Sequence, residues 1–237
     1  QTVYVVDKPA VDGYDVKTTL NVEIQDIAEK AVLDMLHLQN TRPRGNARTG
    51  VAIVMEVATG DVKAMVNMSR ADDGNYYELK NNALTDILEP GSTFKTASLL
   101  VALNDKKISI NDSVDAHKGL YKFGTTPMTD HNAGKPNAYG MLSVPQVLMY
   151  SSNVGTARLI NENYKDNPEI FVEGLHRMGL ATHFPLLPGT GRPVIRKPNA
   201  NKSNWSATAL PWMSIGYETQ IAPINIVSFY NAIANNG

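Results

Sequence analysis

From Ile24 onward the apolar residues Ile27, Ala28, Ala31, Val32, Met35 and Leu36 recur at three- and four-residue intervals. That spacing predicts an amphipathic helix whose stripe faces a core. Ahead of it, residues 1–20 mix Val, Tyr and Thr with Pro9 and Gly13, which predicts short extended pieces. A polar, basic stretch from Asn40 to Gly50 leads into the β-rich run 51–57, and Ala58-Thr59-Gly60-Asp61 turns the chain back into 62–66. This pattern predicts a β-hairpin. Residues 67–89 are polar and expected to be loop. Glu89-Pro90-Gly91 then breaks the chain before the apolar run from Thr93 to Leu103, which predicts a buried helix beginning near Ser92.

Residues 111–140 hold many Asp, Gly, Pro, Thr and Asn without a periodic stripe, and are expected to be mostly surface loops. Ser143 with Gln146 is a capping-box pattern with Pro145 in the first turn, so a short helix should run to about Tyr150. Ser151-Ser152-Asn153 follows, and Val154, Ala157 and Ile160 predict a second helix, which puts the tripeptide at a helix-to-helix junction. Asn167-Pro168-Glu169 opens another helix that Gly179 ends. Residues 182–211 are Pro-rich with no clear element. Pro223 opens a last helix with Ile224, Val227 and Tyr230 on one side. With no internal repeat and no low-complexity linker, the simplest organisation is one predominantly helical α/β domain.

Composition narrows the function classes. Twenty-two basic against 23 acidic side chains leave a net charge of −1 over 237 residues, so no global field would draw the chain onto nucleic acid. Cysteine is absent, which removes disulfides, thiolate metal sites and Cys nucleophiles together. His37, His117, His131, His176 and His183 are scattered without ligand spacing, so no metal and no cofactor is expected. Asp130-His131 lacks the Gly-x-Ser-x-Gly elbow that would make it part of a triad, and Gly189-Thr190-Gly191 is a turn rather than a phosphate cradle. No stretch approaches the ~20 apolar residues of a membrane span.

Chemistry concentrates at two places. Ser92-Thr93-Phe94-Lys95 sets a hydroxyl and an amine three residues apart, on one face of a helix. A helix N-terminus favours an alkoxide or oxyanion, and burial pushes the lysine toward the neutral form that serves as a general base. On the tetrapeptide alone, a serine N-cap with an exposed lysine is the plainer explanation, because about one Ser-x-x-Lys occurs by chance in such a chain. The Glu-Pro-Gly lead-in and the apolar helix behind it turn the reading toward a fixed, buried base. Ser151-Ser152-Asn153 offers a second hydroxyl and a carboxamide, able to relay a proton and to hold an amide backbone; on its own it also describes a helix stop and cap. Ser109-Ile110-Asn111 lies in a polar turn and is assigned to capping.

Taken together, these residues resemble the transpeptidase domain of penicillin-binding proteins, whose signature, shared with class A β-lactamases, is Ser-x-x-Lys, Ser-Asp-Asn and Lys-Thr-Gly. The matching text is Glu89-Pro90-Gly91-Ser92-Thr93-Phe94-Lys95, Tyr139-Gly140 with Ser151-Ser152-Asn153-Val154-Gly155, and Ser214-Ile215-Gly216-Tyr217 with Pro223. Thr59-Gly60-Asp61-Val62, Thr18-Thr19-Leu20 and Gln25 are similar to the way that family enters the domain. The resemblance implies an α/β fold of the serine β-lactamase/transpeptidase type, a helical subdomain plus part of an antiparallel sheet. Residues 1–50 would be a linker and first helix, and 51–237 the transpeptidase domain. It further implies a serine acyltransferase on the extracytoplasmic face of the cytoplasmic membrane, its parent anchored by an N-terminal helix. Its partners would be peptidoglycan stem peptides, β-lactam antibiotics, and cell-division or elongation proteins. Ser92 would be the nucleophile, Lys95 its base, Ser151 the proton relay and Asn153 the group that holds the stem peptide and steadies Lys95. The Glu-Pro-Gly lead-in is closer to the class B, monofunctional type.

Two departures stand out. Lys-Thr-Gly does not occur in its usual place: Arg48-Thr49-Gly50 lies far upstream and Lys95-Thr96-Ala97 belongs to the nucleophile helix. In the family the motif follows the helix that here runs to Asn235-Asn236-Gly237. The chain is therefore expected to stop short of that strand, to be impaired or inactive alone, and to leave one sheet edge unpaired. Glu218 stands where the family usually has Gly, and Ala222 where it usually has Thr. Alternatives of the same fold are a β-lactamase or D,D-carboxypeptidase, and from another class a non-catalytic penicillin-binding sensor module.

Overall fold

A side-chain cap starts the first helix: Asn21 Oδ1 accepts the Ile24 N–H at 3.0 Å, opening α1 (Val22–Asn40). The computed structural model describes residues 11–185, 188–199, 201 and 203–237, so the pieces expected at 1–10 and part of the Pro-rich excursion lie outside them. Residues 11–21 carry no regular element. α1 lies on the hairpin of β1 (Thr49–Met55) and β2 (Val62–Arg70), with Leu36 packed against Val66 and Met68 and flanked by Ala28, Val32 and Leu33. The predicted stripe is wider than one sheet face can cover. Its far edge, Ile27, Ala31 and Met35, stays outside, Ile27 and Met35 at 71% and 52% exposure, a correction to the expectation that all six apolar residues face the core.

The hairpin register pairs Ile53 with Met65, and Gly60, at φ 75°, closes the turn. β3 (Tyr76–Glu78) then pairs with the end of β2, so the sheet order is β1-β2-β3. Residues 67–89 are thus not simply loop; they also hold α2 (Asn82–Thr85). Where β3 stops, side chains complete the β2 edge. Gln25 donates to Met65 O at 3.2 Å and accepts from Met65 N–H at 2.8 Å, while Asn21 N–H donates to Lys63 O at 2.9 Å. Those bonds satisfy backbone groups that an edge strand would leave open.

The second layer is helical and centred on α3 (Lys95–Asn104), which follows a single 3₁₀ turn, Gly91–Phe94. Lys95, Ala97, Ser98, Leu99, Val101 and Ala102 are all buried, so α3 is enclosed on most sides rather than amphipathic. Around it lie α4 (Val144–Met149), α5 (Asn153–Tyr164), α6 (Pro168–Arg177), α7 (Ala209–Ser214) and α8 (Pro223–Ala234). Gly174 permits α6 to approach α3 closely, since a Cβ there would sit 2.5 Å from Val101 Cγ1. The Ser143–Gln146 capping box is present, and Pro168 and Pro223 open their helices as the sequence predicts.

Residues 111–140 contain more structure than their composition predicts. β4 (Ser113–Asp115) and β5 (Leu120–Phe123) pair with β7 (Met141–Ser143) and β6 (Thr126–Thr129) respectively. Val114, Phe123 and Met128 are buried, so one apolar residue per short strand suffices to pin it, too few to make a stripe. Likewise β8 (Val194–Ile195) and β9 (Thr219–Gln220) form a small ribbon that engages the Pro-rich excursion. Among the described residues no helix is long and apolar enough to cross a membrane.

Glu218 and Ala222 both sit at positions with a local conformational demand. Glu218 has φ 57°, the left-handed region that costs an L-residue about 1–2 kcal/mol. Ala222 is the N-cap of α8 and has no side chain to accept a helix N–H. We expect Glu218→Gly to raise stability by about 1 kcal/mol, seen as a higher thermal midpoint. A lowered midpoint would show that the Glu218 side chain contributes more than its backbone costs.

Candidate active site

The nucleophile turn is held by backbone before any side chain acts. Leu88 and Ile221 form an antiparallel bridge, and Gly91 N–H donates to Gly216 O at 3.1 Å. Gly91 and Gly216 have φ of 58° and 88°, and a Cβ on Gly216 would fall 2.1 Å from Gly91 O. Only glycine fits there. Glu218 N–H donates to Glu89 Oε1 at 3.1 Å, completing the seam. Thr93 Oγ1 donates to Pro90 O at 2.8 Å, and Tyr230 on α8 donates to Thr93 O at 2.8 Å. Phe94, 1% exposed, anchors the turn in the core.

The helix predicted to begin near Ser92 does begin there, its first turn a 3₁₀ turn at Gly91–Phe94 and its α-helical part starting at Lys95. The tighter turn improves the alignment of the pair, because a 3₁₀ turn eclipses residues i and i+3. The Lys95 N–H donates to Ser92 O. Ser92 is exposed, while Lys95 is completely buried. Their side chains are not hydrogen-bonded to each other. Lys95 Nζ instead donates to Ser151 O at 2.6 Å, Ser151 Oγ at 3.0 Å and Asn153 Oδ1 at 2.6 Å. Three acceptors match the three protons of an ammonium.

The acceptors converge because of how α4 ends. Ser152 N–H donates to Val147 O and Ser151 N–H to Leu148 O, each at 3.0 Å, the pair of bonds that defines a Schellman ending. That motif puts Ser151 in the left-handed region, at φ 52°, where glycine is usual. Its strained backbone aims carbonyl and hydroxyl together at Lys95. Ser152, fully buried, caps α5 by accepting the Gly155 N–H at 2.9 Å. Asn153 opens α5 and donates through Nδ2 to Thr129 O at 2.9 Å, which fixes Oδ1 toward Lys95.

Burial lowers the Lys95 pKa to about 8, while the Asp130 carboxylate pulls it back upward. At pH 7 roughly one molecule in ten then carries a neutral amine, far above the share of an exposed lysine. Asp130 had no place in the sequence-based site beyond a failed triad with His131. It is 5% exposed and accepts Ser152 Oγ–H at 2.8 Å and Val154 N–H at 3.0 Å. No spacing or motif marks it; only burial does. His131 is exposed and lies 3.3 Å from the Tyr139 hydroxyl, with Tyr139 stacked on Tyr150 at 5.1 Å. Ser109 and Asn111 stay in a polar turn, where Asn111 N–H donates to Ser109 Oγ at 3.3 Å.

Lys95, Ser151 and Asn153, up to 58 positions apart, are thus brought to one place, with Ser92 three residues ahead of Lys95 in the adjoining 3₁₀ turn. The arrangement can deprotonate a hydroxyl, store the proton and pass it to a second hydroxyl. Solved structures share the fold. Over 93% of this chain and 62% of the other, a peptidoglycan glycosyltransferase from Burkholderia ambifaria superposes with a TM-score of 0.75 and 27% identity. The TP domain of penicillin-binding protein 3 from Burkholderia pseudomallei gives 0.70 and 26%, covering 96% of this chain and 60% of that one. Among curated relatives, the probable peptidoglycan D,D-transpeptidase PenA of Neisseria gonorrhoeae is 25% identical across 98% of this chain. The chain spans 37% of PenA's own length. The family model for the penicillin-binding protein transpeptidase domain matches residues 50–237, and the chain therefore belongs to that family.

Proposed function

We propose that residues 51–237 form the domain of a D,D-transpeptidase that cross-links peptidoglycan stem peptides, with residues 1–50 leading into it. The observation that carries this reading is the buried Lys95 amine, bonded to Ser151 and Asn153 and one 3₁₀ turn from the exposed Ser92. Neutral Lys95 takes the Ser92 proton as Oγ attacks the carbonyl of the penultimate D-Ala. The C–N bond breaks, Ser92 holds the acyl group as an ester, and the proton passes from Lys95 through Ser151 to the departing amine of D-Ala. An acceptor amine from a neighbouring stem then attacks the ester, forms the cross-link amide and returns the proton to Ser92. Asn153 holds Lys95 and offers its carboxamide to the stem-peptide backbone. A β-lactam imitates the donor, and its ring amide opens onto Ser92 without a departing fragment. Stem peptides are on the outer face of the cytoplasmic membrane, so that face is where the enzyme acts, alongside proteins of division or elongation.

A fluorescent penicillin should label the full-length protein at Ser92, with no label on Ser92→Ala; labelling that survives that substitution would reject the nucleophile assignment. Ser151→Gly should keep or raise the thermal midpoint, because glycine adopts φ 52° without cost, yet slow acylation by about 100-fold or more. Ser151→Ala should slow acylation equally and lower the midpoint. Unchanged acylation in both would remove Ser151 from the proton path. Rapid hydrolysis of the labelled ester would favour a β-lactamase or carboxypeptidase over a transpeptidase.

A further inference from the structure

We propose that Asp130 is a positioning residue for this acyl transfer: it fixes the 152–154 turn through two hydrogen bonds and places a buried carboxylate on the turn that bonds Lys95. The inference rests on the acyl-transfer reading of the site. Three observations lead to it.

The first is geometry. Asp130 follows β6, and its two carboxylate oxygens divide their work, Oδ2 accepting from Ser152 Oγ–H at 2.8 Å and Oδ1 from Val154 N–H at 3.0 Å. Those contacts bracket Asn153, whose Oδ1 touches Lys95. Thr129, one residue earlier, accepts from Asn153 Nδ2 at 2.9 Å, so the 129–130 segment grips the tripeptide on both sides of its carboxamide. The second is burial. Asp130 is 5% exposed and, among the described residues, its carboxylate bonds to neutral donors and pairs with no cation by direct contact, although a buried charge is costly unless it is paired and hydrogen-bonded.

The third is the scarcity of rival charges among the described residues. The Asp130 carboxylate opposes the effect of burial on Lys95. The 3₁₀ turn carries no titratable side chain other than Ser92 and Thr93 hydroxyls. On α5, Arg158 and Glu162 pair with each other at 2.5 Å. On α6, Arg177 pairs with Asp105 at 3.3 Å, Glu173 faces Lys197 at 3.9 Å, His176 lies 3.3 Å from Ile195 O, and Glu169 sits in the first turn. α8 offers Tyr230, bonded to Thr93 O, and the loop beside Asp130 offers the His131–Tyr139 pair and the stacked Tyr150.

The sign follows directly. Lys95 acts as base when neutral, so acylation rises with pH toward a plateau. Removing the Asp130 charge leaves burial unopposed, which favours the neutral amine and moves the rising limb to lower pH. Second-order acylation by a fluorescent penicillin, measured from pH 5 to 10 on the full-length protein, reads this out. Asp130→Asn should move the limb down by about one pH unit, and Asp130→Glu, which keeps the charge, should leave it in place even if the rate falls. A purely structural residue would scale the rate at every pH without moving the limb, and that result would overturn the proposal. If Asp130→Asn does not fold, Asp130→Ser takes its place in the same assay with the same criterion. Wild type that is unlabelled at every pH would reject the acyl-transfer reading instead, which separates the two failures.

Discussion

An ammonium group taken out of water must find acceptors for its protons or give one up, and the rest of this structure is arranged around that constraint. Lys95 does the first in the resting state, through two atoms of Ser151 and one of Asn153. It is also ready to do the second, since burial brings its pKa to about 8. At about 1.4 kcal/mol per unit, the lowering represents roughly 3 kcal/mol of lost preference for the charged form. That is a substantial part of a domain's net stability.

Each element near the site can be traced to this demand. α3 is enclosed and Lys95 is kept out of solvent, Gly174 allows α6 to close onto α3, and Gly155 allows α5 to close onto Val147 of α4. The Schellman ending of α4 delivers the Ser151 carbonyl and hydroxyl to one amine. Asp130 locks the start of α5 from behind. The Gly91–Gly216 crossing does the corresponding work for Ser92, holding it outside while its neighbour three positions on stays inside.

Much of this was legible in the sequence because the signals were local. The capping box at Ser143 and Gln146, the prolines opening α6 and α8, and the turn at Gly60 each depend on a few adjacent residues. The meeting of Lys95 with Ser151 and Asn153 was accessible through motif order alone, since no local rule joins residues 95 and 153. What escaped was governed by tertiary context. Ile27 and Met35 continue the apolar pattern of α1 past the width of the sheet, and periodicity has no means of seeing where a neighbour ends. The strands within 111–140 are three or four residues long, too short for alternation to register. Asp130 in sequence is one aspartate among many in a polar stretch; its importance comes from burial against Ser152 and Val154.

The central claim, that Lys95 is a buried amine ready to lose its proton, is tested most directly by following its side-chain resonances by NMR while pH is raised, with Lys95→Arg used to assign the signal. The account predicts a titration midpoint of about 8. A midpoint at the ordinary lysine value of 10.5 would contradict it.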